Sequence, residues 1–290
     1  MHKESLSLSH QGLLAPLLLS CKVLLSEYSF ANAYLFRSVH RFNLIRAEEL
    51  LLEGSMREGS SYLMPTRPPD TVWINRCLPL LPADSCFYPI PDAWLPVFDS
   101  NSFSWRSYRR QSDYIYAADN MAAMAGRHLS SKRNLIKQFF DSYRVHYEPL
   151  SIANSEAALQ LISTWEQQHN KKESIDEAQV CKEAIALQQQ LGLLGLLLYA
   201  DGAAVGIAIG EPLTEEIFAI HFAKALHSYK GAYQYLFQLT AEQVCSLWQP
   251  QGKWINLEQD LGIPTLARAK ESYQPTMLAT KWHVFPKKTA

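Results

Sequence analysis

The chain has 290 residues and a formal net charge of −1, from 27 Lys and Arg against 28 Asp and Glu. With 48 % hydrophobic and 19 % charged residues, it is typical of a packed globular protein and unlike a disordered chain, which combines low hydrophobicity with high net charge. The near-neutral balance argues against nucleic-acid binding through bulk charge but leaves room for a local basic patch. The length suits one large domain or two modest ones.

The five cysteines are widely spaced, with no CxxC pair, whereas structural zinc sites and disulfide frameworks need paired spacing. The histidines, His221 among them, look isolated, with no HxxxH or HxH spacing. The most apolar early stretch, 13–25, is interrupted by Pro16 and Lys22 and is shorter than the roughly 20 residues of a membrane span. We therefore expect reduced thiols, no bound metal, no integral membrane segment and a cytoplasmic location, with work at a membrane surface left open.

The first half of the chain mixes short helical and strand-like segments. Helix is expected up to Leu25, and strands near 40–45, 49–52, 62–64 and 114–116. Eight prolines between 65 and 96 disfavour long helices there. Asp119 is expected to cap a helix that ends at Gly126, and a second helix should run over 132–143.

The second half has a clearer pattern. Strands are predicted at 145–150, 193–199, 203–210, 216–223, 253–257 and 277–285, and helices at 154–169, 175–191, 229–247 and 263–271. The Asp201-Gly202 dipeptide is a hairpin signal between two of the strands. This order of elements predicts a layered α/β or α+β domain.

The segment 254–275 concentrates polar residues in a strand–loop–helix unit. Asn256 and Glu258 are two apart and share a strand face. One interpretation is a functional site. The other is a well-capped helix that begins near Asp260 and carries Arg268 and Lys270 at the negative end of its dipole.

A local basic stretch lies between 105 and 146, where eight Lys and Arg face three Asp. Basic residues interleaved with aromatic ones suit a phosphate backbone with stacked bases, although a solvated face would have the same composition. The turn 228–234 opens a helix and could hold an anion. Its single glycine departs from the phosphate loop expected of a coenzyme-A-binding acetyltransferase, so a plain helix start is favoured.

Three motifs resemble those of the lysyl-phosphatidylglycerol synthetase C-terminal-domain-like family. The closing motif is NLEQDLGIP at 256–264 followed by RAKESYQP at 268–275, the central basic motif is SKRN at 131–134 with Phe139, and the aromatic motif is YSFANAYLFR at 28–37. They occur in the family's order and cover most of the chain.

The resemblance implies two tandem GNAT-like (acyl-CoA N-acyltransferase-like) domains of mixed sheets flanked by helices, at 1–145 and 146–290, facing a cleft. It implies transfer of an aminoacyl group from aminoacyl-tRNA to an amine or hydroxyl of a lipid, peptide or small molecule, with no cofactor and no DNA partner. Two alternatives stay open: an acyl-CoA-dependent N-acyltransferase using acetyl-CoA, and a non-catalytic tRNA- or ligand-binding module.

The resemblance also suggests site residues. Asp260 or Glu258 would bind the donor's α-amino group or act as base, and Lys270 with Arg268 would stabilise an oxyanion or a phosphate. The predicted catalytic residues are therefore Asp260, Glu258 and Lys270. The predicted substrate-binding residues, including those that would hold the tRNA end, are Asn256, Arg268, Tyr273, Lys132, Arg133 and Asn134.

Overall fold

The computed structural model describes residues 2–56, 58–168 and 172–287, with 172–176 described by their backbone alone. The chain forms two compact units. Unit 1 comprises Met1–Asp113, Gln259–Ile263 and Leu278–Ala290, and unit 2 comprises Tyr114–Glu258 and Pro264–Met277.

Unit 1 is built on a seven-stranded sheet of order β1-β2-β3-β4-β5-β14-β6. Its strands are β1 His2–Ser5, β2 Asn43–Arg46, β3 Leu50–Ser55, β4 Ser61–Pro65, β5 Cys86–Ile90, β6 Phe103–Ser107 and, from the end of the chain, β14 Trp282–Pro286. Its helices are α1 Gln11–Ser20, α2 Phe30–Leu35, α3 Arg37–His40 and α4 Thr71–Cys77. Within the proline-rich stretch α4 is followed by short 3-10 helical segments at Leu78–Leu80 and Asp92–Val97, and β5 supplies a fully buried strand.

Unit 2 holds the second seven-stranded sheet, of order β13-β7-β12-β11-β10-β9-β8. Its strands are β7 Asp113–Ala117, β8 Val145–Pro149, β9 Leu194–Ala200, β10 Ala203–Pro212, β11 Ile217–Ala225, β12 Trp254–Asn256 and β13 Met277–Ala279. Its helices are α5 Ala118–Ala123, α6 Ser130–Ser142, α7 Ser155–Gln168, α8 Lys172–Ala186, α9 Gln188–Leu191, α10 Ala232–Gln243 and α11 Pro264–Glu271.

Apolar faces of α6 and α10 pack on the second sheet. Phe139 and Leu236 belong to one buried cluster with Leu196, Leu198 and Ala208 of the strands. The β9–β10 hairpin turns at the predicted Asp-Gly pair, where both residues have positive φ, as a type I′ turn requires. After β11 the chain crosses through α10 and returns as β12, parallel to β11.

Several predicted boundaries are corrected by the structure. Asp119 lies in the first turn of α5 rather than at its cap, and the helix ends at Met124 in the left-handed conformation, before Gly126. The helix expected over 229–247 begins only at Ala232 and continues as a π-helical turn to Trp248. The expected end of the 154–169 helix, at residue 169, lies outside the described residues.

The expected division at residue 145 differs from that of the compact units. The first break between them falls between Asp113 and Tyr114, because β7 pairs with β12 in the second sheet. The chain then returns twice to unit 1, at 259–263 and from 278 onward.

The single strand predicted at 277–285 is wrong. The structure has two strands there, β13 at the edge of the second sheet and β14 between β5 and β6 of the first. Between them lies Lys281, whose fully buried ammonium is 2.7 Å from Glu27 and 2.5 Å from Asp113. Lys281 pairs with two carboxylates inside unit 1. It therefore interrupts the apolar residues of 277–285, which had suggested a single strand.

Burial and charge act in opposite directions on the buried trio of Lys281, Glu27 and Asp113. Burial opposes the charge on Lys281, but Asp113 and Glu27 outweigh burial and raise its pKa. Burial also raises the pKa of Glu27 to about 7, although Lys281 opposes that shift. The backbone N–H of Ser26 donates to Asp113 at 2.9 Å, so the trio ties the end of the chain to its beginning.

Replacement of Lys281 by methionine should destabilise the protein by roughly 3–5 kcal/mol, because it leaves two carboxylates buried without their cation. Urea denaturation measures the loss. Lys287→Met, at an exposed lysine whose ammonium donates to the backbone carbonyl of Ser100, is the matched control and should stay within about 0.5 kcal/mol of wild type. Equal stability of the two variants would contradict the role given to Lys281.

Candidate functional site

A buried histidine occupies the place where β11 and β12 part. Their parallel pairing ends at Ala219 opposite Asn256. Two residues further along each segment, His221 and Glu258 meet through their side chains, with 2.8 Å between Nδ1 and Oε1. The other ring nitrogen, Nε2, is 2.8 Å from Oε1 of Glu211 on β10. The imidazole thus fixes two carboxylates at the opening between the strands.

The charge of this cluster follows from its contacts. The His221 side chain is fully buried, whereas those of Glu211 and Glu258 keep 15 % and 19 % of their surface exposed. Burial alone would lower the pKa of His221, but the hydrogen bonds and charges of the two glutamates raise it to about 10. The ring is therefore an imidazolium at neutral pH, and it presents two partly exposed carboxylates to the solvent.

The backbone at Glu258 is held in an unusual conformation, with φ +59°. Its N–H donates to the Asn256 side-chain oxygen at 2.6 Å, and its carbonyl accepts from the Tyr114 N–H at 3.1 Å. The Lys270 ammonium donates to the carbonyls of Leu257 and Glu258, at 2.7 and 3.1 Å. Asn256 and Lys270 thus position Glu258, and the ammonium of Lys270 is engaged with the backbone.

The remaining residues of the closing motif divide between α11 and the turn after it. Arg268 lies on the exposed face of α11. The Tyr116 hydroxyl donates to the Lys270 carbonyl at 2.8 Å and fastens the end of that helix to β7. Tyr273 is buried, and its hydroxyl has no hydrogen-bond partner among the described residues.

The central basic motif meets the closing motif at Tyr273. The Lys132 ammonium, on α6, lies 3.9 Å from the centre of the Tyr273 ring, a cation–π contact. Burial lowers the pKa of Lys132. The structure therefore brings together two predicted substrate-binding residues that are 141 positions apart in the sequence.

The other two residues of the basic motif are placed differently. The Arg133 guanidinium donates to the backbone carbonyls of Met124 and Gly126, at 2.5 and 2.8 Å, so it holds the loop before α6. Asn134 is exposed on α6. Arg133 thus has a positioning contact, and Asn134 stays available on the surface.

Asp260 belongs to unit 1, apart from the other two predicted catalytic residues. One of its oxygens accepts from Arg109 at 3.0 Å and the other from the backbone N–H of Gly262 at 2.7 Å. Its side chain is 2 % exposed. This geometry is that of a carboxylate that stabilises a turn.

The start of α10, considered as an anion site from the sequence, is covered by α6. A Cβ atom on Gly231, which has φ +92°, would lie 2.2 Å from the backbone oxygen of Leu135. The rings of Tyr235 and Phe140 meet 4.7 Å apart beside it. The close packing of α6 against Gly231 favours the plain helix start.

Comparison with known proteins identifies the family of this chain. A model of the family described as "Phosphatidylglycerol lysyltransferase, C-terminal" matches residues 23–285. The chain belongs to this family. No curated protein matches the sequence of this family member.

Solved structures establish the fold of this family member. A conserved protein of unknown function from Bacteroides thetaiotaomicron is 24 % identical with a TM-score of 0.86, and the match covers 98 % of this chain and 99 % of that one. A DUF2156 C-terminal domain from Agrobacterium fabrum is 13 % identical with a TM-score of 0.63, over 96 % and 92 %. FemX is 8 % identical with a TM-score of 0.51, over 99 % and 98 %.

These likenesses confirm the predicted fold class. The protein has the tandem GNAT-like fold of mixed sheets flanked by helices, and its family and fold are those of a transferase. Within the described parts of the chain, no helix is long and apolar enough to cross a membrane. The same parts contain no group of three or more His, Cys, Asp or Glu side chains placed to hold a metal ion.

Sequence reasoning missed two residues of the site, His221 and Glu211. The expectation that His221 is isolated is wrong, since both ring nitrogens contact carboxylates. The available signal was an ionisable residue in the middle of the apolar strand β11, with a glutamate near the end of β10. The antiparallel register that brings them together, with its shift after Ile209, is not visible in the sequence.

The His221→Gln variant of this family member should lose more stability at pH 6 than at pH 10. The pKa of His221 is about 10 in the folded protein and near 6.5 in an unfolded chain. The stabilisation from its charge is therefore complete below pH 6.5 and is lost as the pH rises through 10. We expect a cost of roughly 3–5 kcal/mol at pH 6, as for other broken buried ion pairs.

Urea denaturation of both proteins at pH 6, 8 and 10 checks this dependence. His128→Gln is the matched control, because the His128 side chain is exposed and makes no hydrogen bond or ion pair with other described residues. A cost of His221→Gln that is the same at all three pH values would show that the ring is neutral in the folded protein.

Proposed function

We propose that the protein is an aminoacyltransferase that moves an aminoacyl group from aminoacyl-tRNA to an amine or hydroxyl acceptor. The observation that carries this proposal is the pair of partly exposed carboxylates, Glu211 and Glu258, held by the His221 imidazolium where β11 and β12 part. An aminoacyl ester differs from a simple acyl thioester by its cationic α-ammonium group. A pair of carboxylates complements that group, and charge-assisted hydrogen bonds are the stronger ones.

The proposed transfer needs no covalent intermediate on the protein. The acceptor nitrogen or oxygen attacks the ester carbonyl and forms a tetrahedral intermediate, which collapses with release of the ribose hydroxyl. The acceptor's proton passes to a base and the leaving oxygen takes up a proton. Correct placement of the two reactants supplies much of the acceleration. Glu258 is the group proposed to bind the donor ammonium, and Asn256 and Lys270 act through it as positioning residues.

Asp260 and Arg268 keep different proposed roles. Asp260, which accepts from Arg109 and Gly262, is proposed as a residue that shapes its turn. Arg268, exposed on α11, is proposed to contact phosphate groups of the donor. Lys132, Arg133 and Asn134 on α6 are proposed to lie along the path of the tRNA end, in the locally basic part of the chain.

The packing at the start of α10 weighs against the acyl-CoA alternative. In a coenzyme-A-dependent enzyme of this fold, we would expect open backbone N–H groups at the start of α10 to bind phosphate, as helix N-termini do. Here the backbone of Leu135 and the side chain of Phe139 lie against Gly231. This packing supports a donor other than acetyl-CoA.

The acceptor is proposed as a lipid, peptide or small molecule with a free amine or hydroxyl. The proposed location is the cytoplasm, where charged tRNA is available, and the inner surface of the membrane if the acceptor is a lipid. A non-catalytic module that binds tRNA without turnover is the other outcome of the assay described next.

The Glu258→Gln variant should lose about 10- to 100-fold in kcat/KM for aminoacyl transfer, because a neutral amide replaces the charged partner of the donor ammonium, a contact worth about 1.5–3 kcal/mol. The assay follows labelled amino acids from bulk charged tRNA into lipids, peptides and proteins. Glu211→Gln should act in the same direction.

Glu216→Gln is the matched control, because Glu216 pairs with Lys253 at an exposed position. It should transfer at the wild-type rate. Circular dichroism and urea denaturation establish whether each variant is folded. A folded Glu258→Gln protein with full activity would remove Glu258 from the site, and tRNA binding without transfer by the wild-type protein would favour the non-catalytic module.

Isothermal titration of the wild-type protein with acetyl-CoA should show no binding at concentrations up to about 1 mM, which corresponds to less than about 4 kcal/mol of binding free energy. The reason is the contact of α6 with the start of α10. Titration of a coenzyme-A-dependent acetyltransferase under the same conditions serves as the positive control. Micromolar binding of acetyl-CoA would overturn the proposed donor.

A further inference from the structure

Strand β6 lies at an open edge of the unit 1 sheet. It pairs with β14 along one side, and no other described strand pairs with it. Of its five residues, Phe103 is buried, Trp105 is half-buried and the others are exposed. An exposed edge strand presents unused backbone N–H and C=O groups, with which another extended segment can pair.

The register of β6 decides which of its backbone groups face the open edge. Beside the strand, the Lys287 N–H donates to the Ser102 carbonyl at 2.8 Å, and hydrogen-bonded pairs alternate with non-bonded ones along an antiparallel ladder. The backbone groups of Trp105 and Ser107 therefore face outwards rather than towards β14. Within the described chain, these outward groups have no hydrogen-bond partner.

A groove of about 670 Å³ lies beside this edge. It is bordered by β6, the end of β14 and the loop 81–85 that precedes β5. The charged residues in its lining are the cations Arg106 and Lys287 and the acid Asp84. The lining therefore carries a net positive charge and complements an acidic ligand.

Arg106 is the cation best placed to contact a segment bound along β6. Its guanidinium lies over the Phe285 ring, 4.6 Å from the ring centre, and 5.6 Å from the centre of the Tyr108 ring. It forms no ion pair with the described residues, and the residue is exposed. A guanidinium that is oriented by aromatic rings and open to solvent is suited to bidentate binding of a carboxylate.

A second copy of this chain fits the edge less well than an acidic segment does. Antiparallel pairing of β6 with itself would bring two Arg106 side chains onto one ladder of five residues. Like charges that face each other across a ladder are destabilising, whereas opposite charges are stabilising. Charge complementarity therefore favours an acidic partner.

We infer that β6 is a docking edge for an extended acidic segment of a partner protein, which adds to the unit 1 sheet as a further strand. The outward backbone groups of Trp105 and Ser107 supply the hydrogen bonds, and Arg106 binds a glutamate or aspartate of the segment. Side chains alternate between the two faces of a strand, so the acidic residues recur at every second position and apolar ones lie between them. This surface uses none of the residues assigned to the proposed transfer.

Titration of the full chain into a fluorescently labelled peptide of alternating glutamate and valine tests this inference. We expect saturable binding that Arg106→Gln weakens at least tenfold, because the carboxylates of the peptide lose their cation. Ser107→Pro should weaken binding as strongly, because proline removes an outward N–H and is tolerated where an edge strand faces solvent. Arg127→Gln, at an exposed arginine of unit 2, is the matched control and should bind as tightly as wild type.

Two altered peptides separate strand addition from simple charge attraction. A peptide with lysine in place of glutamate, and a glutamate peptide methylated at its backbone nitrogens, should each bind at least tenfold more weakly. Equal binding of either peptide, no binding of the original one, or unchanged affinity in a folded Arg106→Gln protein would overturn the inference. A wild-type dimer that Ser107→Pro dissociates would also overturn it, because the edge would then belong to a second copy. Circular dichroism establishes whether each variant is folded.

Discussion

The separation of β11 from β12 is the constraint on which the site depends. Two parallel strands that stop pairing leave a gap in the sheet, and here the buried His221 ring lies at that gap. A neutral imidazole has one N–H donor and would leave one of the two glutamates against an unprotonated ring nitrogen, whereas the imidazolium can donate to both. The cluster therefore does two things at once: it closes the end of the sheet and holds two carboxylates partly exposed at its surface.

The polar residues around this cluster are used largely in building it. Asn256 and Lys270 bind backbone groups of the turn at Glu258. Residues that hold the backbone of a site rigidly are what a transferase needs if positioning of the reactants supplies most of its acceleration.

Unit 1 depends in the same way on a residue far away in the chain. Its sheet takes its sixth strand, β14, from the end of the sequence, and Lys281 anchors that segment between Asp113 and Glu27. A fully buried ion pair is a weak source of net stability, but it strongly penalises arrangements that leave one partner alone. The trio accordingly specifies where the last strand enters the sheet.

Local pattern predicted most of unit 2, because its strands and helices alternate with clear periodicity and its hairpin turns at an Asp-Gly pair. Unit 1 was harder to predict. The prolines around and within β5 obscure its strand pattern, and the short helices of this unit are too short to show a clear periodicity. The sequence also pointed to the closing motif, since so many polar groups near one strand are unusual. The sequence could not show that Asp260 supports a turn in unit 1. Glu258 and Asp260 are only two positions apart, yet they belong to different units.

What the sequence determined by itself is the family, through three motifs, and with it the tandem GNAT-like fold and the transferase class. Only the tertiary structure decided which charges meet. Register joined Glu211 to His221, and the ends of β11 and β12 joined His221 to Glu258. Packing of α6 placed Leu135 against Gly231 at the start of α10, and the fold set Lys132 over Tyr273. The physical reason is that ionic and cation–π contacts depend on distances of 3–4 Å between residues far apart in the chain, which no local pattern records.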